Sequence, residues 1–94
     1  MEDNVRKELD TIKSMVNNWK NGYIGLMTGD PSDKYLVDDF LEELNVTYVY
    51  PYACRLRDAM HITSEELSIF MGECYEYVFE LKDIIEKAGK NDGE

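Results

Sequence analysis

Residues 63–89, TSEELSIFMGECYEYVFELKDIIEKAG, decide the fold of this chain. At 100° per residue, Leu67, Phe70, Met71, Cys74, Tyr77, Val78, Leu81, Ile85 and Ala88 fall within one arc of roughly 120°, the apolar stripe of a helix packed on a core. Thr63 and Glu66 have the spacing of a capping box, in which each side chain accepts a hydrogen bond from the other residue's backbone N–H. The helix is therefore predicted to start at Ser64. Gly89 supplies its stop, because glycine accepts the left-handed conformation that follows a helix C-terminus. A helix with one apolar face needs further helices to cover it.

The chain before it supplies them. Val5, Leu9, Ile12, Val16 and Trp19 recur at steps of four, three, four and three, predicting a helix over 3–21 that stops at Asn21-Gly22. Residues 23–30 then read as an ordered loop against the core. Asp30-Pro31 forms an N-cap followed by proline at the first helical position, opening a second helix to Leu44. Its apolar face holds Tyr35, Leu36, Val37, Phe40, Leu41 and Leu44, and Asp38, Asp39, Glu42 and Glu43 fill the other side. Asn45–Tyr52 alternates Tyr48, Tyr50 and Tyr52, a strand-like pattern that lacks an evident partner. Pro51 opens a third helix to about Met60. The expectation is an all-α, small four-helix domain over residues 1–88, with room for one short extended segment around residues 46–50 and a frayed polar tail over 89–94.

Composition excludes several functions. The chain has 94 residues, 44% hydrophobic, with 20 Asp+Glu against 10 Lys+Arg, a net charge of −10. That apolar content folds, whereas disordered acidic chains lack it. The charge opposes docking on phosphate backbones or anionic lipid, both of which need Lys and Arg. It is divided evenly: residues 1–50 and residues 51–94 each hold 5 basic and 10 acidic side chains. No basic start with an apolar run and no window near 18 apolar residues is present, so neither a signal peptide nor a membrane span is expected and the cytoplasm is the default location. There Cys54 and Cys74 are reduced thiols.

On the wheel of the last helix, Glu66, Glu73, Glu76, Glu80 and Asp83 lie opposite the apolar stripe. Segment 64–86 holds seven acidic residues and one basic residue, Lys82. Carboxylates at these steps sit about 5–6 Å apart, comparable with successive phosphates on a strand, so a groove evolved for phosphates would accept them. Tyr75 and Phe79, with Ile69, fall outside the core arc beside this row. The candidate partner-binding residues are Glu73, Glu76, Glu80, Asp83, Asp38, Asp39, Glu42, Glu43, Tyr75 and Phe79. The expected function is that of a non-enzymatic acidic binding protein, an antirestriction, anti-CRISPR or antitoxin-like inhibitor that mimics nucleic acid on a basic protein surface. It binds no nucleic acid directly in this reading, and self-association into a homodimer stays open. The solvated outer face of an ordinary amphipathic helix is the competing explanation.

Residues 55–83, RLRDAMHITSEELSIFMGECYEYVFELKD, resemble the helix-turn-helix of phage-repressor type domains, with Ser64 opening the second helix, Leu67 and Ser68 at its buried and small positions, Gly72 at the turn, and Val78 and Leu81 anchoring the third. The resemblance implies a transcription regulator. Glu73 departs from the pattern, which places an apolar residue there. Its recognition face of Tyr75, Glu76, Tyr77, Glu80 and Asp83 would set carboxylates against phosphates. A continuous helix through Gly72 is the expectation.

Other chemistry is thin. Cys54, His61 and Cys74 fall one short of a structural zinc site. A carboxylate-metal hydrolase is a further alternative, but all-helical nucleotide pyrophosphohydrolases resemble this chain only in size and helicity: their carboxylate pairs sit on different helices, whereas Glu73/Glu76 and Glu80/Asp83 are consecutive on one. No catalytic residue, metal or cofactor is assigned. Gly22, Gly25 and Gly29 lack the lysine of a phosphate loop. Tyr48, Tyr50, Tyr52, Arg55 and Arg57 combine aromatic and positive groups as single-strand binders do, against an opposing net charge.

Overall fold

The computed structural model describes residues 2–92, with side chains over 2–88. It is an all-α domain of four helices: α1 (Asp3–Leu26), α2 (Lys34–Glu42), α3 (Val49–Asp58) and α4 (Ser64–Asp92), with a 3₁₀ turn at Pro31–Asp33 and a π turn at Glu43–Thr47. No strand occurs among the described residues. The molecule is a rod of 51 × 21 × 19 Å.

The two long helices, α1 and α4, form its spine. Val5, Leu9 and Val16 of α1 face Leu67, Phe70, Met71, Cys74, Val78 and Leu81 of α4 in one buried cluster. Lys13 pairs with Glu73 and Lys20 with Glu80. The sequence separation is 60 in both contacts, so the two helices run parallel. Parallel neighbours need a long crossover, and residues 27–63 provide it. There α2, the π turn and α3 close the core with Phe40, Leu44, Val49, Ala53 and Ile62.

The capping box is formed as the sequence predicts: Thr63 N–H donates to Glu66 Oε1 at 2.9 Å and Glu66 N–H to Thr63 Oγ1 at 3.0 Å. α4 then continues unbroken through Gly72, so the turn that a helix-turn-helix places there is absent. A Cβ on Gly72 would meet nothing within 4 Å. Gly72→Ala is therefore expected to raise stability by about 1 kcal/mol and Tm by roughly 4–8 °C. A fall in Tm by calorimetry would mean that the backbone turns at this position.

Several expectations are corrected. α1 does not stop at Gly22 but runs to Leu26, because Tyr23 continues the apolar stripe one turn past Trp19 and its ring packs 5.2 Å from that of Phe40. This packing outweighs the roughly 1 kcal/mol that each helical glycine costs. The extended segment around 46–50 is not formed. A lone strand leaves its backbone groups unpaired, whereas here Tyr48 N–H reaches Glu43 O at 3.0 Å and Tyr52 N–H reaches Tyr48 O at 3.3 Å. Helix α3 consequently opens at Val49, two residues before Pro51, whose missing N–H falls among the first-turn amides that need no helical acceptor. Gly89 does not end α4, whose backbone stays helical to Asp92; the remainder of the expected tail, residues 93–94, lies outside the described residues.

Asp30 does not cap with its side chain. Asp33 organises that loop instead. It is buried, and its carboxylate accepts from Thr28 N–H at 3.0 Å, Gly29 N–H at 2.9 Å and the Thr28 hydroxyl at 3.1 Å. Gly29 has φ of 82°, the left-handed conformation that glycine adopts without steric cost. The Thr28 backbone N–H, followed by that of Gly29, holds the Asp33 carboxyl below the usual carboxylate range, against the opposing effect of burial. A carboxyl that is more acidic folded than unfolded stabilises the fold above its unfolded pKa, about 3.9, and loses that contribution as pH falls through the lower folded value. Asp33→Asn is thus expected to lower Tm by several degrees at pH 6, with the gap from the parent narrowing as pH falls from the unfolded value toward the lower folded one. Paired thermal melts across this range measure it.

At its other end α3 closes in a Schellman motif, with Met60 N–H on Arg57 O and His61 N–H on Leu56 O, both at 2.9 Å. Met60 occupies the left-handed position with φ of 67°.

Candidate functional site

The carboxylate row of α4 is divided by its neighbours. Lys13 Nζ donates to Glu73 Oε2 at 3.2 Å and also lies 3.3 Å from Asp10. Lys20 Nζ donates to Glu80 Oε2 at 2.6 Å and stands over the Tyr77 ring, 5.4 Å from its centroid. Burial works against the charge on Lys13, but its hydrogen bonds to Glu73 and Asp10 outweigh this and raise its pKa. One heptad earlier, the Thr63 backbone N–H chiefly holds the Glu66 carboxyl below its usual range, and Arg6 assists. Arg6, Lys13 and Lys20 thus follow Glu66, Glu73 and Glu80 at matching steps of seven, the arrangement of charged positions that flank a parallel coiled-coil seam. Partly exposed pairs are worth about 0.2–1 kcal/mol each, so their main effect is on register. The sequence signal was the seven-residue repeat in both helices. Read alone, α4 looked nearly unopposed.

The other candidates separate in the same way. Glu43 does not join the outer face of α2: it is half-buried and accepts a hydrogen bond from Tyr23, whose hydroxyl is made less acidic by burial first and by this carboxylate second. Tyr75 is half-buried, with its hydroxyl donating to the Asn45 side chain. Asp83 pairs with Lys87 at 2.9 Å within α4. Asp38, Asp39, Glu42 and Glu76 are exposed and hold no cation among the described residues. Phe79 is 64% exposed.

A groove of about 380 Å³ runs between α2 and α4, lined by Lys34, Val37, Asp38 and Leu41 on one side and Val78, Phe79, Lys82, Ile85 and Glu86 on the other. Of the four carboxylates without a cation among the described residues, Asp38 lines this groove, and Glu76 stands one turn before the ion-paired Glu80. The α1 side of α4 carries Glu73 and Glu80, each paired with a lysine of α1.

The tyrosines do not form a stripe, because residues 48–52 are wound and not extended. Tyr48 packs on Trp19 with centroids 5.8 Å apart, Tyr50 is exposed, and Tyr52 donates to Glu8 while Arg55 covers its ring. Cys54 is half-buried and Cys74 fully buried. Burial pushes the Cys74 thiol up to about 12, which leaves it neutral and unreactive. No group of three or more His, Cys, Asp or Glu side chains is placed to hold a metal ion among the described residues, and none of their helices is long and apolar enough to cross a membrane.

Compared with known proteins, the chain matches no family model, no curated protein and no solved structure.

Proposed function

We propose that this protein is a small acidic binding protein without catalytic chemistry of its own, which occupies a basic surface of a nucleic-acid-handling partner in place of nucleic acid. The observation that carries this reading is a set of exposed carboxylates that hold no cation among the described residues, Asp38, Asp39 and Glu42 on α2 and Glu76 on α4, while Glu73 and Glu80 are paired with lysines of α1. With a net charge of −10, such carboxylates steer the protein toward positive surfaces and raise its association rate at low ionic strength.

Supporting this, the unbroken helix at Gly72 removes the turn on which the transcription-regulator reading rests. The test is competition. Immobilised protein should retain no duplex DNA at low salt, should retain nucleic-acid-binding proteins from a lysate of its source, and should release them both with added salt and with added nucleic acid. Retained proteins that nucleic acid does not displace would overturn the mimicry.

A further inference from the structure

We propose that the face formed by α1 and the start of α3 docks on the same face of a second copy of this chain, giving a reversible two-fold dimer. This goes beyond the acidic-surface reading and does not depend on it, because it uses neither α2 nor the outer side of α4.

Two clefts lie end to end along α1. The first, of about 360 Å³, is lined by Ile12 and Met15 with Tyr48, Val49 and Tyr52. The second, of about 390 Å³, is lined by Trp19, Gly22, Tyr23 and Leu26. The Trp19–Tyr48 ring contact, 5.8 Å between centroids, joins them. At 100° per residue Glu8, Met15, Trp19, Gly22 and Leu26 fall within roughly 60° of one another, beside the stripe that α1 buries in the core. Leu26 stands 62% and Tyr48 57% exposed, so the apolar surface is continuous and open. Trp, Tyr, Met and Arg are the residue types enriched where protein interfaces bury their centres.

Charge decides what covers it. No lysine lines either cleft, in a chain with 32% charged residues. Of the two acids that do, Glu43 is half-buried and accepts from Tyr23. Glu8 is exposed and accepts from Tyr52, over whose ring Arg55 stands 5.8 Å from the centroid. The face therefore presents one exposed acid and one exposed base, side by side. A basic surface would meet Arg55 and an acidic one Glu8, so neither sign is selected. A second copy turned by 180° sets Glu8 of each chain opposite Arg55 of the other, because a two-fold contact is reciprocal.

The area suits a weak dimer. From Glu8 to Leu26 the face runs about 27 Å along α1 at 1.5 Å per residue, and the rod is 21 × 19 Å across. This gives roughly 500 Å² on each copy, or about 1,000 Å² in all, the lower end for a specific interface. The net charge of −10 opposes approach of two copies at long range. Salt screens that repulsion and should tighten the dimer, the reverse of its effect on capture of a basic partner.

The experiment is sedimentation equilibrium of the whole chain from about 5 to 500 µM, at roughly 20 and 300 mM salt. A monomer–dimer equilibrium, tighter at the higher salt, is expected. Leu26→Glu should weaken it at least ~10-fold with an unchanged thermal melt, since Leu26 is not part of the core. Glu8→Arg and Arg55→Glu should each weaken it by about 10-fold, and their equimolar mixture should recover association to within ~3-fold of the parent, because both reciprocal pairs are then restored with their ends exchanged. A chain monomeric throughout would overturn the proposal, as would a dimer that salt weakens, one indifferent to Leu26→Glu, or a mixture no tighter than the single variants. A monomer that loses its captured proteins on Leu26→Glu would assign the face to a different protein and also overturn it. None of these results alters whether nucleic acid displaces a captured partner, so the two readings fail separately.

Discussion

Phe40→Ala is expected to lower Tm by roughly 15–30 °C, or to abolish the cooperative transition, while Phe79→Ala leaves it within a few degrees of the parent. Phe40 has no exposed surface, stacks its ring 5.2 Å from Tyr23 and closes the contact among α1, α2 and α4. Emptying such a position costs about 3–5 kcal/mol, made up of lost transfer energy and an unfilled cavity. Small domains have only about 5–15 kcal/mol in total, so this is a large fraction. Phe79 is 64% exposed, and its truncation leaves no cavity. Calorimetry or thermal melts followed by circular dichroism compare the two directly. Similar losses at both positions would mean that α4 presents Phe79 to the core.

Reversing charge at the carboxylates that hold no cation is expected to have the second large effect. The double variant Asp38→Lys with Glu76→Lys should weaken partner capture by about 100-fold or more at low salt, because each reversal replaces an attraction to a basic surface with a repulsion, and like charges juxtaposed at an interface cost several kcal/mol. Neither residue has a cation partner among the described residues, so folding should be unaffected. The control is Glu73→Lys with Glu80→Lys. There the new lysines would face Lys13 and Lys20 across the α1–α4 seam, and the expected loss is in thermal stability, about 1–2 kcal/mol, with capture largely retained in the folded fraction. Capture unchanged by the first pair and lost with the second would assign the contact to the carboxylates of the α1–α4 seam instead. Salt titration of the parent complex provides an independent check, since a contact steered by charge slows in association as ionic strength rises.

How much of this was legible beforehand differs from element to element. The start of α4 was, because Thr63 and Glu66 satisfy each other's backbone within one turn and no other part of the molecule is needed. The burial of Leu67, Phe70, Met71, Cys74, Val78 and Leu81 was as well, from periodicity alone. Gly22 was misleading. A glycine costs a helix only about 1 kcal/mol, and that cost is overridden when the next residues, here Tyr23 and Ile24, find partners in the core. The β-branched and aromatic run at 45–50 misled for a related reason: strand propensity has effect only where a neighbouring strand accepts the backbone hydrogen bonds, and the fold supplies none.

By itself, then, the sequence determined the helical class, the helix faces and the net charge of −10, because periodicity, caps and ionisation act within a few residues of chain. Only the tertiary structure decided which carboxylates remain available. Glu73 and Glu80 meet lysines 60 residues away, Glu43 turns inward to Tyr23, and Asp38, Asp39, Glu42 and Glu76 are left facing outward. Pairing of charges depends on which helices lie side by side and in which direction, and here the parallel packing of α1 on α4 sets that register.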